Sequence, residues 1–205
     1  MPSDNLLVLF ICKTNKMIYI NEHTEELDIA SALATVSPQR REQALKFRHE
    51  NGQRLSLAVF LLLMEGLRKE YGILSPPVFD YTTDGKPYIA NHPDIHFSFS
   101  HSGKVALCAL SNQPVGADVE VPRKITPSLI SYTMNENEQA QINSSSNPIL
   151  QFLFFWTRKE ALLKLTGKGI SNNMKQVLAE AENYQLETLQ TENYLYSIAK
   201  HKDLP

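Results

Sequence analysis

Two carboxylates stand two residues apart in the run Val115-Gly116-Ala117-Asp118-Val119-Glu120-Val121. At the period of a β-strand, Val115, Ala117, Val119 and Val121 share one face, and Asp118 and Glu120 share the other. A strand that buries its valines therefore aims two like charges in one direction, and they repel unless a cation compensates them. A hard divalent ion such as Mg²⁺ suits such a pair, because it takes oxygen ligands and is commonly held by a few carboxylates plus substrate phosphates. A second pair lies in Phe155-Trp156-Thr157-Arg158-Lys159-Glu160-Ala161-Leu162-Leu163-Lys164, a run rich in helix formers with no Gly or Pro. There Glu160 and Lys164 are spaced i,i+4 and share a helix face. They offer a third metal ligand and an ammonium for a phosphate.

Each feature alone has a plainer reading. An Asp-x-Glu pair is common on a solvated edge strand, and an i,i+4 Glu/Lys pair is usually an exposed helix face worth a few tenths of a kcal/mol. His101, in Ser100-His101-Ser102-Gly103, reads as a turn residue, and Lys86, after Asp84-Gly85, as an exposed turn lysine. The basic run from Arg40 to Arg54 reads as a solvated helix flank, and Trp156 with Phe152, Phe154 and Phe155 as core. What raises these features above their separate readings is their order and spacing together.

The elements that must position them follow from the pattern along the chain. Leu6 to Cys12 is a short apolar run, a buried strand. Ser37-Pro38 opens a helix, with Ser as N-cap and Pro in the first turn. A long helix over 51–70 is dense in Leu, Ala and Val, so it is packed over much of its circumference, and Tyr71-Gly72 ends it. Tyr81-Thr82-Thr83 and Pro87-Tyr88-Ile89 flank the turn Asp84-Gly85-Lys86 as a hairpin. Strands are expected over 95–99 and 104–111, with Ser100 to Gly103 as the turn between them. After Pro122 the chain is irregular to about Thr133, which with Glu136 makes a capping box. A polar loop spans 143–147, and a second long helix over 149–166 is stopped by Gly167 and Gly169. Strands return at 177–179, 185–190 and 194–199, the last two closed by the turn Thr191-Glu192-Asn193. The pattern is α+β, one α+β unit followed by another. It predicts two similar half-domains, 1–112 and 113–205, with the site between them.

The 205 residues carry 20 Lys and Arg against 22 Asp and Glu, a formal net charge of −2, which gives no footprint for nucleic acid. There is no signal-like start and no apolar run long enough to span a bilayer. Cys12 and Cys108 sit in apolar runs and read as buried free thiols, which suits a reducing cytoplasm.

The two motifs, in this order, resemble the larger monomeric (surfactin-synthetase-activating) class of the 4′-phosphopantetheinyl transferase superfamily. Its hallmarks are a Gly-x-Asp-x-Glu strand and, further on, Trp-Ser/Thr-x-Lys-Glu-Ala/Ser-x-x-Lys. Gly85-Lys86-Pro87, Phe97-Ser98-Phe99-Ser100-His101-Ser102 and Gly167-Lys168-Gly169 fit the same pattern, and the likeness spans about Arg48 to Ile170. Ala117 departs from it, since the family more often has Ile or Val there, and the C-terminal part is short. The resemblance implies a pseudo-twofold fold of two α+β halves. It implies a monomeric enzyme that moves phosphopantetheine from coenzyme A to a serine of an apo acyl or peptidyl carrier protein, releasing 3′,5′-ADP, with Mg²⁺ (or Mn²⁺) as cofactor. It assigns Asp118, Glu120 and Glu160 to the metal and Lys164 to the pyrophosphate. Ser100 and His101 go to coenzyme A phosphates, and Gly85, Lys86 and Pro87 to the adenine and its phosphates. Arg48 and Arg54 fall near the basic 3′-phosphate patch. Glu160, directly or through a metal-bound water, is the expected base, with Lys164 and His101 beside it in the catalytic set. Two other readings use the same residues: a metal-dependent phosphohydrolase of a nucleotide or pyrophosphate, and a non-catalytic module that binds coenzyme A or a carrier.

Overall fold

A computed structural model describes residues 8–13, 16–168 and 173–202, and of 8–13 and 16 the backbone alone. In chain order, β1 (Val8–Lys13) and β2 (Lys16–Asn21) form a hairpin, followed by helices α1 (Ile29–Thr35), α2 (Pro38–Leu45) and α3 (Glu50–Tyr71). A short hairpin of β3 (Phe79–Tyr81) and β4 (Pro87–Ile89) leads to β5 (His96–Ser102), β6 (Val105–Ser111) and β7 (Val115–Glu120). Helices α4 (Pro127–Thr133), α5 (Glu136–Ser144) and α6 (Pro148–Thr166) precede a closing hairpin of β8 (Tyr184–Gln190) and β9 (Leu195–His201). One antiparallel sheet has the order β1-β2-β6-β5, and another the order β7-β9-β8.

These elements stack in four layers, and each interface follows from side-chain alternation. On one face of the first sheet, Tyr19, Phe97, Cys108 and Leu110 pack on Ala58, Val59, Leu62 and Leu63 of α3. The opposite flank of α3, including Leu57 and Phe60, packs on Ala32 of α1 and Ala44 of α2, so this helix is indeed covered on much of its circumference. The other face of the first sheet, with Ile18, Ile20, Val105 and Leu107, meets Val115, Ala117, Val119 and Ile198 of the second. The far side of the second sheet carries α6, where Ala161, Leu162 and Leu165 contact Ala199. A helix therefore closes each outer side of two apposed sheets, an α+β architecture. The link between β6 and β7 contains residues 112 and 113.

Several ends are set as the sequence predicts. The Ser37 hydroxyl accepts the Arg40 N–H at the start of α2. Gly167 ends α6 at φ 77°, a left-handed conformation that costs glycine little, whereas Asn147, expected as the last residue of a polar loop, caps that helix ahead of Pro148. Four expectations need correction. Ser100 and His101 lie within β5, and the turn falls at Gly103. The capping box belongs to Asn135 and Glu138, whose side chains exchange bonds with each other's N–H, rather than to Thr133. The segment 122–133 contains α4, capped by Thr126. Residues 177–179 form turns, because the 173–183 stretch folds as two 3₁₀ turns with no partner strand among the described residues. The strand predicted over 6–12 is β1, with Leu6 and the side chain of Cys12 outside the described residues, as are Gly169 and Ile170. Cys108 is a buried free thiol, and burial pushes its pKa up. Among the described residues no helix is long and apolar enough to cross a membrane.

Candidate active site

The site begins with a missing side chain. A Cβ on Gly116 would lie 1.9 Å from the Ala161 carbonyl oxygen and 2.4 Å from the Leu165 nitrogen, both backbone atoms of α6. Glycine thus lets α6 rest directly on β7, the strand of Asp118 and Glu120, and so brings Glu160 and Lys164 over those carboxylates. The rotation of α6 is fixed from its other side. Lys159 is fully buried, and its ammonium donates to Glu138 Oε2 at 2.6 Å, to the Thr133 carbonyl at 2.8 Å and to the Met174 carbonyl at 2.9 Å. All three donors of the group are then satisfied, the condition for burying an ammonium. The sequence reading passed over Lys159, although a lysine inside so apolar a helix signals a built polar partner.

Alternation on β7 does separate valines from acids, but the acidic face is not solvated. Asp118 is 5% exposed and Glu160 8%. The Lys164 ammonium and the Ser100 hydroxyl both donate to Asp118 Oδ1, each at 2.7 Å. Ser102 donates to Glu120 Oε2 at 2.7 Å, and the Trp156 indole N–H donates to Glu120 Oε1 at 3.1 Å. Trp156 is core as expected, stacked on Phe152, yet its polar edge serves the site. Asp118 Oδ2 and Glu160 Oε1 are buried with no hydrogen-bond partner among the described residues. Burial raises the pKa of Asp118 against the pull of Lys164, and it raises that of Glu120 as well. Burial, then the charges of Asp118 and Glu120, push Glu160 up to about 7.

This clustering has a measurable consequence for stability. An acid with a raised folded-state pKa binds its proton more tightly in the folded than in the unfolded state, so its contribution is complete below the unfolded pKa and is lost as pH rises through the folded one. For Glu160 that window runs from 4.5 to about 7, and the loss is at most about 3 kcal/mol. In EDTA, the melting temperature of wild type minus that of Glu160→Gln should fall across this window. A difference that rises with pH would contradict the clustering.

Among the described residues no three His, Cys, Asp or Glu side chains are already gathered closely enough to hold a metal. Lys164 occupies one oxygen of Asp118, while Glu120 has Ser102 and, at 3.8 Å, the Arg123 guanidinium on Oε2 and Trp156 on Oε1. The donor set nonetheless fits a hard cation. It is made of carboxylate oxygens, and two of them, on Asp118 and Glu160, are buried without a donor.

The remaining predicted residues are placed unevenly. Ser100 is buried, and its hydroxyl is committed to Asp118 and to the Val119 N–H, so it faces the carboxylate rather than open space. His101 is exposed on the opposite face of β5. Desolvation by its surroundings, then the Lys164 charge, hold its imidazole below the usual range. Lys86 donates to the Leu165 carbonyl at 3.1 Å and to the Val115 carbonyl at 3.3 Å, tying the β3–β4 turn to the C-terminus of α6. Burial lowers its pKa. Lys86 and Pro87 line a cleft of about 410 Å³ with His96, Pro114, Leu165 and Gly167, and Gly85 sits in the turn beside it at φ 81°. Arg54 is taken up by Glu50 Oε2 at 3.0 Å and by the Leu27 carbonyl at 3.3 Å, while Arg48 is exposed in the link before α3. The structure thus joins Asp118, Glu120, Glu160 and Lys164 in one cluster, and leaves Arg48 and Arg54 outside it.

Residues 114–203 match the family described as ACPS, the 4′-phosphopantetheinyl transferase superfamily. A 4′-phosphopantetheinyl transferase of Bacillus subtilis is 32% identical over 145 residues, which cover 68% of this chain and 63% of that relative. The 4′-phosphopantetheinyl transferase Sfp of Bacillus subtilis (strain 168) is 27% identical over 157 residues, covering 75% of the chain and 70% of the relative. The 4′-phosphopantetheinyl transferase HetI of Nostoc sp. is 30% identical over 174 residues, covering 80% and 73%. The chain spans a little under two thirds of the length of the first of these relatives. The family match takes in β7, α6 and β9, and with them all four residues of the cluster, so the chain belongs to the 4′-phosphopantetheinyl transferase superfamily.

Proposed function

We propose that this chain transfers the 4′-phosphopantetheine group of coenzyme A to a serine hydroxyl of an apo carrier protein, releasing 3′,5′-ADP. The observation that carries the reading is the pair of buried oxygens without donors, Asp118 Oδ2 and Glu160 Oε1, in a cluster that also holds the Lys164 ammonium. Leaving such oxygens unsatisfied costs free energy, and a divalent cation repays that cost. Asp118, Glu120 and Glu160 would hold Mg²⁺, and Mn²⁺ suits the same oxygens. When bound, the ion neutralises charge on the pyrophosphate.

The chain's own groups do the rest. Lys164 places a second positive charge on the phosphate oxygens as the bond to the leaving 3′,5′-ADP breaks. The serine oxygen of the carrier bonds to phosphorus and its proton passes to Glu160. His101 on its exposed strand face, and Gly85, Lys86 and Pro87 at the 410 Å³ cleft, are assigned to coenzyme A. Arg48 and Arg54 lend positive charge near the start of α3. The halves 1–112 and 113–205 meet at this site, the first supplying the serines of β5 and the second the carboxylates.

Intact-protein mass spectrometry tests the reading. The protein is incubated with coenzyme A, Mg²⁺ and a panel of apo carrier proteins, with and without EDTA. A carrier that gains the mass of phosphopantetheine only with metal is the expected result. Coenzyme A consumed with no gain on any carrier would move the assignment to a phosphohydrolase.

A further inference from the structure

The edges of the two sheets meet along β5 and β7, and serine hydroxyls join them. Ser98 Oγ accepts the Ala117 N–H at 2.9 Å, Ser100 Oγ the Val119 N–H at 3.1 Å, and Ser102 Oγ the Val121 N–H at 3.2 Å. Both strands advance together along this ladder, so they run parallel, with hydroxyls standing where a parallel sheet would use carbonyls. A hydroxyl that accepts still has a proton to give. Ser100 gives its proton to Asp118, and Ser102 gives its proton to Glu120. At Ser98 the residue in the equivalent position is Gly116, which has no side chain.

We propose that Ser102 is a positioning residue for the metal-binding role of Glu120: with Trp156 it holds one neutral donor on each carboxylate oxygen, fixing the plane of the carboxylate and leaving lone pairs on both oxygens for the cation. The inference rests on the proposed function. Its geometry is distinct from that of Asp118, where Ser100 and Lys164 both engage Oδ1. Both hydrogen bonds to Glu120 come from neutral donors, and the exposed Arg123 guanidinium stands 3.8 Å from Oε2, beyond hydrogen-bond reach. Groups that orient a metal-bound ligand from behind typically account for 10–100-fold in metal affinity.

Ser98 provides the matched control, because it bonds the same kind of backbone N–H and touches no carboxylate. Mn²⁺ binding is followed by electron paramagnetic resonance in the presence of coenzyme A, for wild type, Ser102→Ala, Ser102→Thr and Ser98→Ala. Thermal melts in EDTA report the loss of the backbone bond in each. Ser102→Ala should weaken Mn²⁺ binding by about 10–100-fold, Ser102→Thr should restore it, and Ser98→Ala should leave it unchanged while lowering the melting temperature. Equal Mn²⁺ affinity in Ser102→Ala and wild type would overturn the inference, and so would an equal loss in Ser98→Ala, which would make the ladder purely structural. A wild type that binds no Mn²⁺ would instead overturn the proposed function, and this inference with it.

Discussion

Replacing Glu160 by Gln should lower the turnover number of phosphopantetheine transfer by about 10²–10⁴-fold, the range for loss of a positioned general base, while the KM for coenzyme A changes little. Gln keeps the size of the side chain and removes its ability to take a proton. Glu160 suits that task, since burial and two neighbouring carboxylates push it up to about 7, and an acid–base group acts best with a pKa near the working pH. Its Oε1 is buried and accepts no hydrogen bond among the described residues. Steady-state kinetics with a carrier at saturation decides the matter. Unchanged turnover would reject Glu160 as the base, whereas a fall confined to coenzyme A affinity would make it a binding residue only.

The largest structural effect is expected at Gly116. The Cβ added by Gly116→Ala meets the Ala161 carbonyl oxygen at 1.9 Å, the Leu165 nitrogen at 2.4 Å and the Leu165 Cα at 2.9 Å, all main-chain atoms that no rotamer change can move. Relief requires α6 to lift from β7, which opens the contact of Ala161 and Leu165 with Ala199. Overpacked cores usually lose 1–3 kcal/mol; a clash with rigid backbone should exceed about 3 kcal/mol and lower the melting temperature by about 10 °C. Lifting α6 also draws Glu160 and Lys164 away from Asp118, so coenzyme A-supported Mn²⁺ binding should be lost with the stability. A variant that melts within about 2 °C of wild type would show that the helix can yield without cost.

Much of this site was readable from local pattern. The period-two run 115–121 located the acidic strand, the i,i+4 spacing put Glu160 and Lys164 on one helix face, and the ends of α2, α3 and α6 followed from Ser37, Gly72 and Gly167. What escaped depended on partners distant in the chain. Alternation separates Asp118 from Val119 but cannot say that α6 and the serines of β5 cover the polar side. Ser100-His101-Ser102 looked like a turn because these residues are common in turns, yet they are strand residues whose hydroxyls are matched to β7 nineteen positions later. Lys86 reads as a solvated turn lysine, and its acceptors, the Val115 and Leu165 carbonyls, are 29 and 79 residues away. Thr133 and Asn135 compete as caps within two residues, and only the bond to the Glu138 N–H separates them.

The order β7-β9-β8 puts the acidic strand beside a strand made tens of residues after it. During synthesis, the strands of the first sheet and the serines of β5 are all present when Asp118 and Glu120 leave the ribosome. The backbone partners of β7 in Leu195–His201 arrive only tens of residues later, after several seconds at about 5–20 residues per second. Until α6 is made, the hydrogen-bond donors of the two carboxylates already in the chain are the serines of β5, and the edge of β7 that pairs with β9 waits through the whole interval. The clock for a working site is therefore set by β9, and a nascent chain that already holds all four cluster residues is still short of the strand that makes them an ensemble.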